Sequence, residues 1–588
     1  MLPEKLTIHG LTALYRAGDA SPVTVIEEVL HRLANNPDPA AWISTVPPET
    51  LRDRAAELAK GGYDPSRPLW GIPFAVKDNI DAAGLPTTAA CPAFAYDPAD
   101  DAHVVARLTA AGAILVGKTN LDQFATGLNG TRSPYGAPRC VFDGDYISGG
   151  SSSGSAVAVA RGQVAFALGT DTAGSGRVPA AFNNLVGIKP TKGLLSAAGV
   201  VPACRSQDCV TVLAHCVADG ELVRRLAEGF DAADPFSRPA QARPLRLEGF
   251  RFGVLSGAEK VFLGDDAAEA LYDAAVANMT ALGGIPVPFD YAPLRECAHL
   301  LYGGPWVAER LAAIEEFVEV QADAMDPTVR AIIQGAAGKS AIEAFVGQYA
   351  LAFYAQTIAG MWADLDLLLL PTTPTIYTLS DMLADPVRLN SNLGRYTNFV
   401  NLLDCAAVAV PAGFRPNGLP FGVTLVGPAF TDNDLANIGD RLHAKSSPVT
   451  YPLKIVPPPT YLPILVVGAH LTGMPLNTEL TGVGGILLGA VRTAPDYRFY
   501  ALAGTVPPKP GLIRDPGFRG PGILAEEWAL PPSAFAAFVA RIPAPLGVGK
   551  VALSDGRQVT GFLCEGHALA GATEITGFGG WRAYRASL

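Results

Sequence analysis

Residues 149–177 read GGSSSGSAVAVARGQVAFALGTDTAGSGR, and this stretch decides the fold of the first part of the chain. The serines and glycine at 153–155 are expected to cap and open a helix over 156–160. The apolar run at 164–168, bounded by glycines, predicts a short buried strand. A second Gly/Ser loop at 169–177 follows it. The stretch therefore predicts two Gly/Ser loops that flank one helix and one strand.

Each loop contributes one serine that could take part in catalysis, Ser151 in the first and Ser175 in the second. Upstream, residues 71–81 read GIPFAVKDNID and place Lys77 at the end of an apolar run. A serine hydroxyl needs a base to become a nucleophile, and a lysine can be that base if burial lowers its pKa. A surface lysine, a helix cap and a turn residue are the plain alternatives for these three positions.

The three pieces GIPFAVKDNID, GGSSSGS and GTDTAGS, in this order, resemble the amidase signature family over most of the first 440 residues. The resemblance implies an α/β/α sandwich with a mixed central sheet. It also implies a Ser-Ser-Lys triad. Ser175 would be the nucleophile, Ser151 the bridging serine on a cis peptide bond, and Lys77 the base.

The residues around the triad set further expectations. The Gly-rich segment of Thr172, Ala173 and Gly174 lets backbone N–H groups converge on one point, as an oxyanion hole requires. Lys118 is a rival base, but it lacks the Asp-Asn pair that follows Lys77. Neither glycine loop ends in a GK[ST] triplet, which argues against a phosphate-binding P-loop.

The alternation of predicted strands and helices favours an α/β sheet. In such sheets, loops at the carboxyl ends of strands host active sites, and Lys77 and Ser175 both fall there. Ser21 and Pro22 predict the start of an early helix. The other predicted strands lie at 70–76, 113–116, 186–193, 367–370, 404–411 and 422–427, and the other predicted helices at 103–111, 178–185 and 433–444.

A change of composition predicts a second domain. Prolines mark a linker at 446–460, which separates a catalytic domain at 1–445 from a smaller α+β domain at 461–588. Within the smaller domain, Asp555-Gly556 indicates a hairpin between strands at 551–553 and 559–563. Further strands are predicted at 464–467 and 486–491, and a helix at 533–542.

Two stretches, FATGLNGTRSP at 124–134 and LYGGPWVAER at 301–310, resemble allophanate hydrolases within the larger family. The resemblance implies cleavage of allophanate (carboxyurea) to ammonia and carbon dioxide, downstream of urea carboxylation or of triazine ring breakdown. Tyr302 and Arg310 would hold the carboxylate, and Gly127 would allow close backbone approach. An arginine fork suits a planar carboxylate. The plain alternatives are a core tyrosine and a solvated helix arginine.

Residues 466–477, VVGAHLTGMPLN, resemble the C-terminal domain of the longer allophanate hydrolases, whose fold is like that of γ-glutamyl cyclotransferases. The resemblance implies a role in decarboxylating the first product. His470 is the candidate catalytic residue there, with Asn477 and Glu526 behind it. A histidine at a strand end is also often structural.

The composition and net charge of the chain limit the kinds of partner that we expect. The chain has 588 residues, 49% hydrophobic and 17% charged, with a net charge of −11. These values predict at least two packed domains and argue against nucleic acid as a partner. Eight scattered cysteines without a CxxC pair indicate reduced thiols. We expect a cytoplasmic enzyme that acts on a small molecule. We expect no cofactor, no metal and no membrane span, a homodimer, and urea carboxylase as pathway partner.

Two other activities remain open from the sequence. One is a different activity of the same family, either that of a general aliphatic amidase or that of the glutaminase subunit of a tRNA amidotransferase. The other is a non-catalytic scaffold whose second domain binds a partner.

Overall fold

The computed structural model describes residues 2–36, 38–241, 243–446, 461–505 and 507–587. The chain divides into two compact units, each with its own hydrophobic core. The first unit comprises Met1–Gln241 and Leu245–Leu453, and the second comprises Ala242–Pro244 and Lys454–Leu588. Of the expected linker, residue 446 is the last of a helix, and residues 447–460 lie outside the described residues.

Strands of the first unit form one large sheet. They are β1 (Trp42–Thr45), β2 (Pro73–Lys77), β3 (Ile114–Thr119), β4 (Phe166–Asp171), β5 (Val186–Lys189), β6 (Cys209–Ala214), β7 (Arg251–Val254), β8 (Ile285–Pro288), β9 (Leu367–Pro371), β10 (Ala406–Phe414) and β11 (Pro420–Gly427). Their order is β1-β3-β2-β4-β6-β5-β10-β11-β9-β7-β8.

Helices pack against this sheet, for example α5 on β4 and α16 on β10. The helices of the unit are α1 (Ile8–Ala17), α2 (Pro22–Ala34), α3 (Pro48–Ala59), α4 (His103–Ala110), α5 (Ser153–Ala160), α6 (Arg177–Phe182), α7 (Val217–Ala227), α8 (Asp266–Ala281), α9 (Ala292–Gly303), α10 (Trp306–Gln321), α11 (Pro327–Gln334), α12 (Ala341–Met361), α13 (Leu379–Ala384), α14 (Arg388–Leu393), α15 (Phe399–Leu402) and α16 (Asp432–Ser446). The predicted cap of α2 is confirmed, because the Ser21 side chain accepts from the Thr24 N–H.

The sheet is mixed, which confirms the expected fold class. Strand β2 lies between β3 and β4 and is parallel to both, whereas β4 pairs with β6 in the antiparallel sense. The carboxyl ends of β3, β2 and β4 therefore meet at one edge of the sheet. Lys77 is the last residue of β2, and the loop that carries Ser175 leaves the end of β4.

The structure corrects the expected bounds of β4. The strand runs from Phe166 to Asp171 rather than over 164–168, so Gly169, Thr170 and Asp171 belong to the strand and not to the loop. Strand β6 supplies the reason, since it pairs with β4 along its whole length up to Asp171 opposite Cys209. Apolar content alone places the strand too early because the pairing partner comes from a later segment of the chain.

The start of helix α5 also differs from the prediction. The helix begins at Ser153, and Ser152, the residue before it, makes no capping bond with its side chain. The Ser152 hydroxyl donates instead to the Thr170 carbonyl oxygen at 3.1 Å. The Gly/Ser segment thus ties α5 to β4 rather than capping the helix. A Cβ at Gly154 would lie 2.2 Å from the Ala41 carbonyl oxygen, so only glycine fits there.

The second unit is a smaller α+β body. Its elements are β12 (Leu462–Val466), β13 (Ile486–Arg492), β14 (Tyr497–Ala501), β15 (Pro510–Arg514), β16 (Leu524–Leu530), β17 (Leu546–Ala552), β18 (Gln558–Cys564), β19 (Thr573–Glu574), α17 (Thr478–Thr481), α18 (Pro532–Ala540) and α19 (Trp581–Ala586). One sheet has the order β13-β16-β12-β18-β17, and another has the order β15-β14-β19. The hairpin predicted at Asp555-Gly556 is confirmed, since β17 and β18 pair in the antiparallel sense.

Candidate active site

Lys77 lies fully buried at the centre of the site. Its Nζ is 2.8 Å from Ser151 Oγ and 2.7 Å from Thr170 Oγ1. The register explains these contacts, because β2 and β4 are parallel and Val76 lies opposite Leu168. The side chain at the end of β2 therefore reaches the last residues of β4 and the start of the first Gly/Ser loop.

The environment of Lys77 favours its neutral form. Burial lowers the pKa of Lys77 to about 7, although the carboxylates of Asp122, Asp208 and Asp171 act in the opposite direction. No carboxylate of the described residues forms an ion pair with its ammonium group. A lysine with this pKa can accept a proton at neutral pH.

Ser151 is buried beside the lysine, and the peptide bond between Gly150 and Ser151 is cis. The Ser151 carbonyl oxygen accepts from the Asp122 N–H at 3.1 Å. In the next residue, the Ser152 N–H donates to the Ser175 carbonyl oxygen at 3.2 Å. These two bonds fix the first Gly/Ser loop between the end of β3 and the second loop.

Ser175 sits in a turn that is organised by one buried carboxylate, that of Asp171. The Asp171 side chain accepts from the N–H groups of Gly174 at 2.8 Å and Gly176 at 3.1 Å. It also pairs with the Arg177 guanidinium at 2.9 Å. Although burial alone would raise it, Arg177 holds the pKa of Asp171 below its usual value. The carboxylate thus stays ionised and holds the turn closed.

This arrangement bears on the expected oxyanion hole. Of the three expected donors, the Gly174 N–H already donates to Asp171 Oδ1 at 2.8 Å. Among the hydrogen bonds of the described residues, the N–H groups of Thr172 and Ala173 meet no acceptor. Gly174 is required for a different reason. It has a φ of +127°, and a Cβ there would lie 2.5 Å from Thr397 Oγ1.

The Ser175 hydroxyl is directed at Gly127. Ser175 Oγ donates to the Gly127 carbonyl oxygen at 3.4 Å, a long and weak bond. Gly127 itself lies against Asp122, and a Cβ there would be 2.5 Å from Asp122 Oδ2. That carboxylate accepts the N–H groups of Asn129 and Gly130 at 3.2 and 3.0 Å. Gly127 therefore lies beside the proposed nucleophile.

Arg310 contacts both Tyr302 and the loop that carries Gly127. Arg310 is 2% exposed, and its Nη2 lies 3.3 Å from the Tyr302 hydroxyl, with the guanidinium 5.0 Å from the centre of the tyrosine ring. Its Nη1 donates to Thr126 Oγ1 at 3.1 Å. Its Nε is buried without a hydrogen-bond partner among the described residues. The arginine is therefore a core-facing charge next to Gly127, not a solvated one.

Two carboxylates that interact electrostatically with Arg310, those of Asp208 and Glu309, are hydrogen-bonded to other groups. Asp208 accepts the Thr172 hydroxyl and the Ala203 N–H, and burial raises its pKa to about 6. Glu309 accepts the Ser206 N–H at 2.6 Å and lies 2.9 Å from Cys204 Sγ. The local sequence pattern indicates neither residue, because Thr172 and Ser206, which they bind, come from segments that are distant along the chain from Asp208 and Glu309 respectively.

Lys118, the rival base, belongs to a separate contact. Its Nζ lies 3.4 Å from Asp78 Oδ1 and 2.9 Å from Thr87 Oγ1, and the residue is fully buried. Burial lowers its pKa, and Asp78 partly restores it. No bond joins Lys118 to either of the two serines in the described residues. The structure therefore leaves Lys77 as the lysine in contact with Ser151.

In the second unit, His470 lines a cavity of about 310 Å³. Its Nε2 lies 3.3 Å from Glu479 Oε2, and its ring stacks on Phe562. Burial lowers the pKa of His470, while Glu479 acts in the opposite direction. Lys509 and Arg541 also line this cavity. The arrangement can hold an anion beside an acid–base pair.

The residues predicted behind His470 have different roles. Asn477 Nδ2 donates to the His470 carbonyl oxygen at 2.9 Å, so it shapes the loop rather than the imidazole. Glu526 binds the Thr472 N–H at 2.8 Å and forms an ion pair with Arg582 at 2.7 Å. The acidic partner of His470 is Glu479, which the sequence analysis missed because it lies nine positions away in a short helix.

A cluster with metal-binding side chains lies outside both sites. His9, Cys216 and Asp219 place one ligand atom each within 4.8 Å of the others. Asp219 already accepts the Ile8 N–H at 2.7 Å and the His9 N–H at 3.3 Å, so it satisfies the first two N–H groups of helix α1. That structural role accounts for the cluster, and we place no ion there.

Comparison of the chain with known protein families gives one match for each of the two units. The amidase family model matches residues 24–436, which is more than half of the chain. The chain belongs to the amidase family. Residues 462–586 match the model of the allophanate hydrolase C-terminal domain. Members of the amidase family are amidohydrolases, and a Ser-Ser-Lys triad is typical of them. The expected family and enzyme class are thereby confirmed.

Two individual relatives show to which members of the family the chain is similar. Urea amidolyase of Saccharomyces cerevisiae is 43% identical over 584 residues, which is 95% of this chain and 32% of that protein. Urea amidolyase of Lachancea kluyveri is 44% identical over 572 residues, 93% of this chain and 31% of that protein. The chain therefore spans about a third of the length of the urea amidolyases it matches.

A solved structure is similar to this chain over almost its whole length. The Kluyveromyces lactis allophanate hydrolase superposes with a TM-score of 0.83 and 40% identity, covering 99% of both chains. Both units of this chain thus have counterparts in that protein. Within the residues that the structure describes, none of the helices combines the length and apolarity needed to span a membrane.

Proposed function

We propose that this amidase family member is an allophanate hydrolase. Ser175 attacks the terminal amide carbonyl of allophanate, ammonia leaves, and an acyl-enzyme forms on the Ser175 oxygen. Water then releases N-carboxycarbamate. Loss of carbon dioxide from that product, followed by breakdown of the carbamate, gives two ammonia and two carbon dioxide in total.

One observation carries the choice of substrate, namely the buried Arg310 beside the nucleophile. Its guanidinium forms no ion pair with any described carboxylate, and its Nε has no partner among the described residues. Leaving a buried cation without an anion is costly, so the site is suited to a ligand that supplies one. Arg310 binds Thr126, the neighbour of Gly127, whose carbonyl accepts the Ser175 hydroxyl. A substrate whose carboxylate lies close to its amide fits this spacing.

The proton path follows from the contacts of Lys77. Neutral Lys77 takes the Ser151 proton across 2.8 Å, and Ser151 takes the proton of Ser175 as the latter attacks. Donation of one Lys77 N–H to Thr170 across 2.7 Å would leave its lone pair directed at Ser151. The Ser175 hydroxyl gives up only the weak 3.4 Å bond to Gly127 when it turns toward Ser151.

The developing oxyanion would be stabilised by the backbone N–H groups of Thr172 and Ala173. Asp171 holds the turn that presents them, and the contact of the Thr172 hydroxyl with Asp208 fixes its outer side. Donors that are fixed before reaction cost no reorganisation in the transition state, which is why such turns contribute strongly to catalysis.

The second unit would act on the first product. N-carboxycarbamate is a small dianion, and Lys509 and Arg541 line the cavity that holds His470. The His470–Glu479 pair could pass a proton to nitrogen as carbon dioxide leaves. The wider proposal is a cytoplasmic homodimer that uses the product of a urea carboxylase. The relative of this chain in Saccharomyces cerevisiae is named urea amidolyase, which supports that place in urea breakdown.

The activities of an aliphatic amidase or a glutaminase do not account for the buried charge of Arg310. An aliphatic amide or glutamine would leave Arg310 without a carboxylate close to the scissile amide. A panel assay decides the matter. Ammonia release should be measured with allophanate, malonamate, biuret and acetamide. We expect allophanate to have the highest kcat/KM, and a preference for acetamide or biuret would contradict the proposed substrate.

A further inference from the structure

Glu309 precedes Arg310 in helix α10, and the proposed reaction leaves it without a role. Its Oε1 accepts the Ser206 N–H at 2.6 Å, and its Oε2 accepts the Ser206 hydroxyl at 2.8 Å and lies 2.9 Å from Cys204 Sγ. Burial raises the pKa of the Cys204 thiol, so the thiol stays protonated and acts as the donor. Three donors from one loop therefore meet this single carboxylate.

The loop that supplies these donors comprises residues 203–208, and we call it the bridging loop. At its end, Asp208 contacts the Thr172 hydroxyl in the oxyanion turn, by which we mean residues 171–177. Asp208 also accepts the Ala203 N–H at 2.8 Å, which ties the two ends of the loop together. The bridging loop thus contacts helix α10 on one side and the oxyanion turn on the other.

The first two turns of helix α10 are set apart from the rest of the helix. Pro305 precedes the helix and makes no capping bond with its side chain. At Ile314 the backbone leaves the helical conformation, with φ −139° and ψ 25°, so residues 306–313 form a segment of their own. Glu309 and Arg310 both lie in this segment, and neighbouring side chains of a helix point about 100° apart. The contacts of Glu309 with the bridging loop therefore help to set the direction of Arg310.

We propose that Glu309 is a positioning residue, which aligns Arg310 with the oxyanion turn through the bridging loop. In allophanate, a single nitrogen atom separates the carboxylate from the amide carbonyl, so Arg310 and the turn must bind their groups at one fixed separation. A misplacement of about 1 Å can lower a rate roughly 100-fold. The inference rests on the proposed function, because the alignment matters for a substrate that uses both binding elements at once.

The test compares Glu309→Ala with Glu316→Ala, a matched control that removes an exposed glutamate from the same helix. We expect Glu309→Ala to lower kcat/KM for allophanate by roughly 100-fold, with a higher KM and a lower kcat, because both binding elements move. The control should stay within about twofold of the unaltered chain. A folded Glu309→Ala protein with the kinetics of the control would overturn the proposal.

Biuret separates misalignment from a simple loss of carboxylate binding. It lacks the carboxylate that Arg310 would bind, whereas a disturbed oxyanion turn affects every substrate. We expect Glu309→Ala to lower kcat/KM for biuret by about 10-fold, and Arg310→Ala to lower it by only a few-fold. If Glu309→Ala leaves biuret turnover unchanged, the bridging loop does not connect helix α10 to the turn, and the proposal is wrong.

Two milder variants guard against a loss of folding. Glu309→Gln keeps one acceptor oxygen, and Ser206→Ala removes the hydroxyl donor but keeps the backbone N–H. Each should lower kcat/KM for allophanate by about 5-fold, and the double variant should be scarcely worse, because both changes break the same contact. A lower melting temperature with unchanged kinetics in all of these variants would show a merely structural role and contradict the proposal.

A measurement without substrate separates this inference from the proposed function. Cys204 is buried, and its thiol lies against Glu309. We expect N-ethylmaleimide to label Cys204 about 10-fold faster in Glu309→Ala than in the unaltered chain, as mass spectrometry of its peptides would show. An unchanged labelling rate would mean that the bridging loop keeps its place without Glu309, which would overturn the proposal. If the unaltered chain releases no ammonia from allophanate, the proposed function fails, whereas the labelling still decides whether Glu309 holds the loop.

Discussion

The Lys77 cluster of the first unit is closed to solvent, whereas the His470 cluster of the second lines a cavity. Lys77, Ser151 and Ser175 are at most 2% exposed, and each has a side-chain hydrogen bond to another residue of the site. His470 is partly exposed and meets a single acidic partner, Glu479, among the described residues. The described residues that line its cavity include no serine, threonine or cysteine.

This difference in solvent exposure and in side-chain partners indicates which chemistry each cluster can perform. A closed site with a neutral lysine and a hydroxyl nucleophile suits covalent acyl transfer, where water must be kept out until the intermediate forms. A cavity with an imidazole–carboxylate pair and two cationic side chains suits binding and protonation of an anion. If each cluster has its own chemistry, amide cleavage depends on the first cluster alone.

The largest effect is expected from Ser175→Ala and Lys77→Met. Each should lower kcat for ammonia release by roughly 10⁴-fold or more, and the double variant should be no worse, because the residues act as a unit. Because burial disfavours the charged form of Lys77, the Met variant should also melt at least as high as the unaltered chain at pH 7. Near-normal turnover by a folded Lys77→Met protein would exclude this lysine as the base.

The next effect is on the pH profile. Lys77 must be neutral to accept a proton, and its pKa is lowered to about 7. The value of kcat/KM for allophanate should therefore fall about tenfold per pH unit below 7 and level off above it. Ammonia release measured from about pH 5 to 9 checks this. A flat profile across neutral pH would mean that another group serves as base.

A smaller effect is expected at the oxyanion turn. Thr172→Val removes the hydroxyl that contacts the buried Asp208 carboxylate, and we expect kcat to fall by about 10- to 100-fold. Thr172→Ser keeps the hydroxyl and is the matched control, so it should recover most of the activity. Equal losses in both variants would show that the contact with Asp208 does not matter for catalysis.

Tyr302→Phe should have a milder effect. The change removes one hydroxyl beside Arg310 and keeps the ring that packs against the guanidinium. We expect KM for allophanate to rise by about 5- to 10-fold, the usual contribution of one hydrogen bond, with kcat little changed. Steady-state kinetics check this. A loss confined to kcat would place Tyr302 in the chemical step instead of in binding.

The smallest effect on ammonia release should come from the second unit. His470→Ala and Glu479→Gln should leave release of the first ammonia within about twofold of the unaltered chain, since amide cleavage needs only the first cluster. Carbon-13 NMR with labelled allophanate would detect any build-up of N-carboxycarbamate. A large loss of the first ammonia in either folded variant would break the division between the two clusters.

The sequence alone located the proposed triad residues, and the reason is local. Lys77 follows a short apolar strand, and each serine lies in its own Gly/Ser loop, so the three motifs that carry the family resemblance can be recognised without knowledge of the fold. The features that the local pattern does not give depend on how the chain folds back on itself. Strand β4 extends to Asp171 because β6 pairs with it, and Gly174 gives its N–H to Asp171 because the turn folds back on that carboxylate.

The same limit applies to the residues that the sequence analysis missed. Asp208 and Glu309 act through side chains from other segments, and Glu479 meets His470 only once the second unit has folded. Arg310 was identified through a resemblance, and its burial without a counter-ion among the described residues became visible only in the structure. Local pattern predicts which groups are available, whereas tertiary packing determines which of them are left unpaired.

The most direct measurement of the central claim compares two substrates in the unaltered chain and in Arg310→Ala. Biuret has nearly the shape of allophanate but carries an uncharged amide where allophanate has its carboxylate. We predict that the substitution lowers kcat/KM for allophanate by roughly 100- to 1000-fold, the cost of removing a buried charged partner, and that for biuret by only a few-fold. Equal losses for the two substrates would contradict the claim that Arg310 binds a carboxylate beside Ser175.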